Sequence, residues 1–184
     1  MKQIEIEIGT IKLGEKVVIT DPCYTNGLGV YTNVRKGNYK CFAVQENSSF
    51  WGKRIGKLIA YLEGFESVRY DYDNMFNDNL IGLAGVDSGQ CGIFDDKYYS
   101  PLHINYYVDE DEKSERWYKR CCKITLNGDE CGTIGKRGVV SSSGYGDGCY
   151  DVYAIEDKGE VVAIMIDFIP NEIREEHEEY EEEE

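Results

Sequence analysis

The sequence predicts a mainly β protein: an antiparallel sandwich or partly open barrel with one or two short helices and an acidic C-terminal tail. Fifteen tyrosines and twenty glycines favour strands joined by tight turns over a helical bundle. Apolar segments bounded by turn residues recur about every ten residues, the spacing of a meander or barrel. Since 41% of the 184 residues are hydrophobic, we expect a single domain over residues 1–170, followed by a Glu-rich tail over residues 171–184.

The first predicted strands lie in the N-terminal third of the chain. Residues 2–8 alternate polar side chains with isoleucine, which indicates a strand with one buried face. The apolar residues 17–19 form the next strand, which ends before Pro22 because proline cannot donate to a ladder. Turn residues then separate further predicted strands at residues 30–31, 38–44 and 56–61.

The middle of the chain predicts a loop, a strand and a helix. Residues 70–79 are polar and rich in Asp and Asn, so we expect a loop there. The apolar residues 80–86 predict a strand. Over residues 109–121 acidic side chains precede Lys119 and Arg120, an order that complements a helix dipole and predicts a helix.

The C-terminal third predicts a β-hairpin and then the tail. Residues 149–155 and 160–168 are rich in β-branched and aromatic residues, and a turn that ends in glycine joins them. Pro170 closes the second strand. The tail beyond it is predicted to be helical or disordered, because neighbouring glutamates repel one another.

The charge distribution limits the partners that this chain can take. The net charge is −15, and residues 172–184 hold nine Glu against one Arg. Direct nucleic-acid binding requires clustered Lys and Arg, so we expect none. The short basic clusters, Lys53–Arg54 with Lys57 and Lys119–Arg120 with Lys123, are flanked by acidic or apolar residues.

The sequence also predicts a cytoplasmic protein without a membrane span. No apolar run approaches the roughly 20 residues that a transmembrane helix needs, and the N-terminus lacks the apolar segment of a signal peptide. Seven scattered cysteines without a C-x-x-C pair favour reduced thiols. We predict no metal and no cofactor, because neither zinc-ligand spacing nor a complete calcium loop is present.

Two segments, residues 86–96 and 141–153, place glycine and polar residues next to apolar strands. The glycines would let backbone N–H groups approach a ligand, and the aspartates would supply charge or oxygen ligands. The same residues would equally build tight turns in which Asp and Ser satisfy local backbone donors. The candidate ligand-binding residues in these segments are Asp87, Ser88, Gln90, Asp95, Ser143, Gly144, Tyr145, Gly146, Asp147 and Tyr150.

The stretch at residues 141–168 resembles the C-terminal signature of the family known as domain of unknown function 4241. That signature has a strand ending in Ser-Gly, an aromatic residue, Gly-Asp-Gly, a Tyr, and two further strands of which the last ends in Asp-Phe. Residues 19–22 and 85–95 fit the same family, so the resemblance spans most of residues 15–168. It implies no reaction. It does imply one shared site or structural keystone that contains Asp21, Asp87, Asp95, Gly144, Gly146, Asp147 and Tyr150.

Three functional hypotheses follow from these observations. The first is a non-enzymatic binding module that holds a small ligand, a cation or a partner protein at the two glycine-rich turns. The second is an enzyme in which Asp87, Asp95 and Asp147 converge as acid, base or metal ligands. The third is an acidic inhibitory or immunity-type protein that captures a partner through its surface and tail.

Overall fold

Eleven β-strands and three α-helices make up the described part of the chain. The computed structural model describes residues 2–24, 28–48, 52–77, 79–99, 112–170 and 173–174, with side chains for all of these except residues 48 and 112–115. The elements in chain order are β1 (Lys2–Leu13), β2 (Lys16–Thr20), β3 (Val30–Asn33), β4 (Gly37–Ser48), β5 (Gly52–Leu62), α1 (Ser67–Met75), β6 (Leu80–Val86), β7 (Gln90–Asp95), α2 (Asp96–Tyr99), α3 (Glu112–Thr125), β8 (Cys131–Thr133), β9 (Gly138–Ser142), β10 (Gly148–Asp157) and β11 (Glu160–Asp167).

The strands form two antiparallel sheets. Sheet A has six strands in the order β1-β4-β5-β11-β10-β6, and sheet B has five in the order β3-β2-β7-β9-β8. Neighbouring strands within both sheets pair antiparallel. The predicted mainly β fold is therefore confirmed as a sandwich, and the sheets do not close into a barrel.

The main hydrophobic core lies between the two sheets. Leu58 and Ile164 contribute to it from sheet A, and Val17, Ile93 and Val139 from sheet B, all fully buried. Burying a side chain of this size stabilises the fold by about 1.5–3 kcal/mol. This core fixes the relative position of the turns at either end of the sandwich.

Helices cover the outer faces of both sheets. The α1 residues Val68 and Tyr72 pack on Phe42 and Ile59 of sheet A. On sheet B, a second cluster joins Cys121 of α3 to buried residues of β2, β7 and β9. The central strands are thus buried on two faces, which explains why β11 is an almost continuous apolar run rather than an alternating one.

The first strand, β1, continues well beyond the predicted residues 2–8 and contains a β-bulge. The register with β4 shifts between Glu7 and Gly9, and Gly9 has a φ of +127° that other residues rarely adopt. The extra residue changes which sequence positions face the core. Ile6 and Ile8 pack against it before the bulge, and Ile11 is buried in it afterwards.

The prediction of a loop at residues 70–79 is wrong for residues 70–75, because α1 covers Ser67–Met75, with a kink at Asp71. Val68, Tyr72 and Phe76 are spaced four residues apart and form one buried stripe. Packing of this stripe on sheet A outweighs the low helix propensity of the intervening Asp and Asn residues. The predicted helix at residues 109–121 is found as α3, which is described from Glu112 and continues to Thr125.

Arg174 connects the C-terminal segment to the body of the protein. Its guanidinium donates hydrogen bonds to the carboxylates of Glu46 and Asp167. The other residues of the predicted tail, 171–172 and 175–184, lie outside the described residues. None of the helices that the structure describes is long and apolar enough to cross a membrane.

Candidate functional site

The two glycine-rich segments predicted from the sequence meet at one end of the sandwich. The backbone N–H of Ser143 donates to the carbonyl of Gly89 at 3.1 Å. Pairing of β6 with β10 places Gly148 opposite Val86. The exposed residues Asp87, just after β6, and Asp147, just before β10, therefore lie at the same end of sheet A. We call this end of the molecule the glycine rim.

Asp21 occupies the centre of the glycine rim with a fully buried side chain. Its Oδ1 accepts hydrogen bonds from the Cys23 N–H at 2.8 Å and from the Ser88 hydroxyl at 2.6 Å. Its Oδ2 accepts from the N–H groups of Asp87 and Ser88 at 2.9 and 2.6 Å. Four donors thus occupy this carboxylate, which joins the end of β2 to the turn between β6 and β7.

The second turn is closed by Ser143 and Tyr150. The Ser143 hydroxyl donates to the carbonyl of Gly146 at 2.8 Å. The Tyr150 hydroxyl lies 3.0 Å from the carbonyl oxygen of Ser143 and 2.9 Å from that of Gly146. Gly144 has a φ of +50°, and a Cβ there would lie 2.8 Å from the Phe168 carbonyl oxygen. These contacts are those of a structural turn.

The remaining rim side chains contact one another as well. Burial and a hydrogen bond with Asp87 raise the pKa of Tyr24 to about 12. The side chain of Gln90 is buried. Its amide nitrogen lies 3.3 Å from the Cys122 sulfur, and its amide oxygen accepts a hydrogen bond from the Thr125 hydroxyl at 3.2 Å. Tyr145 is 44% exposed at the surface of the rim.

Asp95 lies at the opposite end of β7 from the glycine rim. Five residues of extended chain separate it from Gln90, which corresponds to about 16 Å. Asp95 pairs across the sheet with Val17, whereas Thr20, next to Asp21, pairs with Gly92. Asp95 therefore does not join Asp87 in a three-carboxylate cluster.

The buried Asp95 carboxylate instead holds together three segments around a cleft. It is 2% exposed and accepts hydrogen bonds from the N–H groups of Gly14 at 2.8 Å and Lys97 at 3.1 Å. It also pairs with the Arg137 guanidinium at 3.3 Å. One carboxylate thus fixes the β1–β2 turn, the start of α2 and the β8–β9 turn relative to one another.

The cleft has a cavity of about 430 Å³, and five cations and three carboxylates line its wall. Lys16 pairs with Asp96 at 3.6 Å. Within the described part of the chain, no salt bridge neutralises Lys12, Lys36 or Lys97. The charged residues that line the cavity are Lys12, Glu15, Lys16, Lys36, Asp95, Asp96, Lys97 and Arg137.

An adjoining cavity of about 320 Å³ shares Asp95, Tyr98 and Arg137 with the first. Its wall is mainly aromatic, and it adds two further cations, Arg120 and Lys136. We call the two cavities together the basic cleft. Its volume falls within the range of small-molecule sites.

Among the residues of the basic cleft, only Asp95 was predicted as a site residue. The cations come from five separate segments of the chain, so none of them forms a long basic run. The local signals were the short cluster that contains Arg120 and the pair Lys136–Arg137 between two glycines. The described residues contain no group of three or more His, Cys, Asp or Glu side chains placed to hold a metal ion.

Comparison with known proteins gives a family and no function. The model of a protein family of unknown function, DUF4241, matches residues 13–166. No curated protein and no solved structure matches the chain significantly. The match covers sheet B and all of sheet A except β1 before Leu13 and the last residue of β11, in agreement with the resemblance at residues 15–168. The chain therefore belongs to the DUF4241 family.

Proposed function

We propose that this protein is a non-enzymatic binding module for a small, multiply charged anion such as a phosphate group, and that the anion binds in the basic cleft. The observation that carries the proposal is an excess of cations around one cavity in a chain whose net charge is −15. Like charges held around one cavity repel one another and do not stabilise the fold by themselves. A bound anion would relieve that repulsion.

The hydrogen-bonding groups of the cleft suit an oxyanion. Lysine ammonium and arginine guanidinium groups form short, charge-assisted hydrogen bonds to phosphate oxygens. Asp95 holds Arg137 in place, so this guanidinium loses little freedom when an anion binds. Asp95 thereby remains a site residue of the proposal as a positioning group.

In this proposal the glycine rim has a structural role and does not bind the ligand. The Asp21 carboxylate has no lone pair left for a ligand once four donors occupy it. Ser88, Ser143, Gly146 and Tyr150 are likewise engaged in contacts within the rim.

A small anion is favoured over a nucleic acid as the ligand. The cations surround a concave space of limited volume, while the whole chain carries a large negative charge that repels a polyanion. We therefore keep the expectation that the protein does not bind nucleic acid directly.

The test is titration with inorganic phosphate at low ionic strength, followed by calorimetry and by the shift in melting temperature. We expect the double variant K36Q/K97Q to lose at least tenfold in phosphate affinity, since both lysines are exposed and neither is salt-bridged among the described residues. The matched control is K53Q, which removes an exposed lysine at the start of β5, away from the cleft. Equal affinity of K36Q/K97Q and the wild-type protein would refute the proposal.

A further inference from the structure

The aromatic cavity next to the cationic one indicates which chemical group the ligand has in addition to its anionic group. Three rings pack against one another there: Phe94 and Tyr99 stack with centroids 5.1 Å apart, and Trp117 meets both edge-on at 5.1 and 5.4 Å. They belong to the cluster that covers the outer face of sheet B. Since Phe94, Tyr99 and Trp117 also line the cavity, packed aromatic rings form part of its wall.

Tyr98 stands at the boundary that both cavities share. Its side chain is 48% exposed although it is large and aromatic. The Arg137 guanidinium lies 4.5 Å from the centre of the Tyr98 ring. The same guanidinium is bound by the buried Asp95, so the ring and the cation form one fixed unit between the aromatic and the cationic compartments.

A ligand that fills both compartments needs two chemically different parts. An anionic group would pair with the lysines and Arg137, and a planar ring would lie against Tyr98 and Trp117. Aromatic rings and arginine planes both offer stacking surfaces to a flat, polarisable ring.

We infer that the ligand is a phosphate joined to a planar ring, the chemistry of a mononucleotide. This inference rests on the proposed function, because it places the phosphate among the same cations. It adds the ring, its position in the cavity of about 320 Å³, and Tyr98 and Trp117 as the residues that recognise it. No glycine-rich phosphate loop is involved, since side chains supply the positive charge.

The experiment compares three probes on one protein: adenosine 5′-monophosphate, adenosine and inorganic phosphate. The sequence has two tryptophans, so the variant W51F leaves Trp117 as the single reporter of the aromatic cavity. We expect the mononucleotide to bind at least tenfold more tightly than either adenosine or phosphate and to change the emission of Trp117. In Y98A, with both affinities measured on the same variant, this tenfold advantage of the mononucleotide over phosphate should disappear.

The outcomes separate this inference from the proposed function. If the mononucleotide binds no better than phosphate and leaves Trp117 emission unchanged, the ring site is refuted and the anion site stands. If neither compound binds, the proposed function fails and this inference fails with it. A tenfold gain that survives in Y98A would refute the role given to Tyr98.

Discussion

Asp21 and Ser88 are joined by two hydrogen bonds of 2.6 Å, one from the Ser88 backbone N–H and one from its hydroxyl. These bonds attach the end of β2 in sheet B to the turn that leaves β6 in sheet A. The sandwich is therefore closed at this end by a polar contact as well as by its core. The contact explains why an aspartate is placed where it is fully buried.

We predict that D21A lowers the free energy of unfolding by about 3 kcal/mol. The substitution leaves the N–H groups of Cys23 and Ser88, whose hydrogen bonds to Asp21 are partly buried, without an acceptor, and each unsatisfied donor costs about 1–3 kcal/mol. Urea unfolding followed by circular dichroism measures the loss. The control is D87N, which changes an exposed carboxylate of the same rim and should cost under about 0.5 kcal/mol. Equal effects of the two variants would contradict this account.

Part of the glycine rim could be predicted from the sequence. Apolar strands that end in polar, glycine-rich segments predicted two turns, and these turns do meet, as the contact between Gly89 and Ser143 shows. The sequence did not reveal that their polar atoms satisfy one another. That depends on tertiary geometry, in particular on Tyr150 reaching back to the carbonyls of its own turn.

The basic cleft could not be predicted from the sequence, for a different reason. Its cations are separated in sequence, and only hydrogen bonds between the end of β1 and the β8–β9 turn bring Lys12 next to Arg137. The missed helix α1 and the missed extension of β1 have local causes. A polar majority masked the stripe of Val68 and Tyr72, and the bulge at Gly9 broke the alternation on which the strand prediction relied.

We predict that G92A destabilises the protein by about 2 kcal/mol or more. A Cβ at Gly92 would overlap the ring of Phe94 and the carbonyl oxygen of Val139, so β7 and β9 would have to separate. The melting temperature should fall by several degrees. G128A is the matched control, because no atom lies within 4 Å of a Cβ at that glycine. A melting temperature for G92A equal to that of G128A would show that the strands adapt without cost.

We predict that Cys23 is a slow nucleophile. Although the residue is exposed, partial burial of its thiol, followed by the hydrogen bond and charge of Asp21, raises the pKa of Cys23 from 9.0 to about 12. Near pH 9 the thiolate fraction of the folded protein should be roughly 100-fold or more below that of the unfolded chain. Iodoacetamide labelling of Cys23 in buffer and in urea, quantified by mass spectrometry, measures this ratio.

The sign of the associated stability effect follows from the same shift. Because the folded state keeps its proton to a higher pH, the stability from this thiol is fully present below pH 9 and is lost as the pH rises towards 12. Cys149 is also exposed and serves in the same samples as a reference for reagent access. Rapid labelling of Cys23 in the folded protein at pH 9 would contradict the prediction.

The last prediction concerns the ion cluster that holds the C-terminal segment. Arg174 contacts Glu46 at 2.8 Å and Asp167 at 2.7 Å, and Lys57 lies within 3.9 Å of both carboxylates. Burial lowers the pKa of Arg174, but its hydrogen bonds to Asp167 and Glu46 outweigh that effect and raise it overall. The guanidinium therefore stays charged at any accessible pH. We predict that R174A lowers the free energy of unfolding by about 3 kcal/mol, because it leaves the fully buried Glu46 with Lys57 as its one remaining cation among the described residues.

Two truncations separate this ion cluster from any function of the acidic tail. A chain that ends at residue 170 lacks Arg174 and should lose as much stability as R174A in urea unfolding. A chain that ends at residue 174 keeps the cluster and should be at least as stable in urea as the full-length protein, because the glutamates that it loses repel one another. The acidic-tail hypothesis must therefore be tested with the second truncation, since loss of a partner by the first could reflect unfolding. If the chain ending at residue 170 proves as stable as the full-length protein, the cluster does not hold the C-terminal segment to the body.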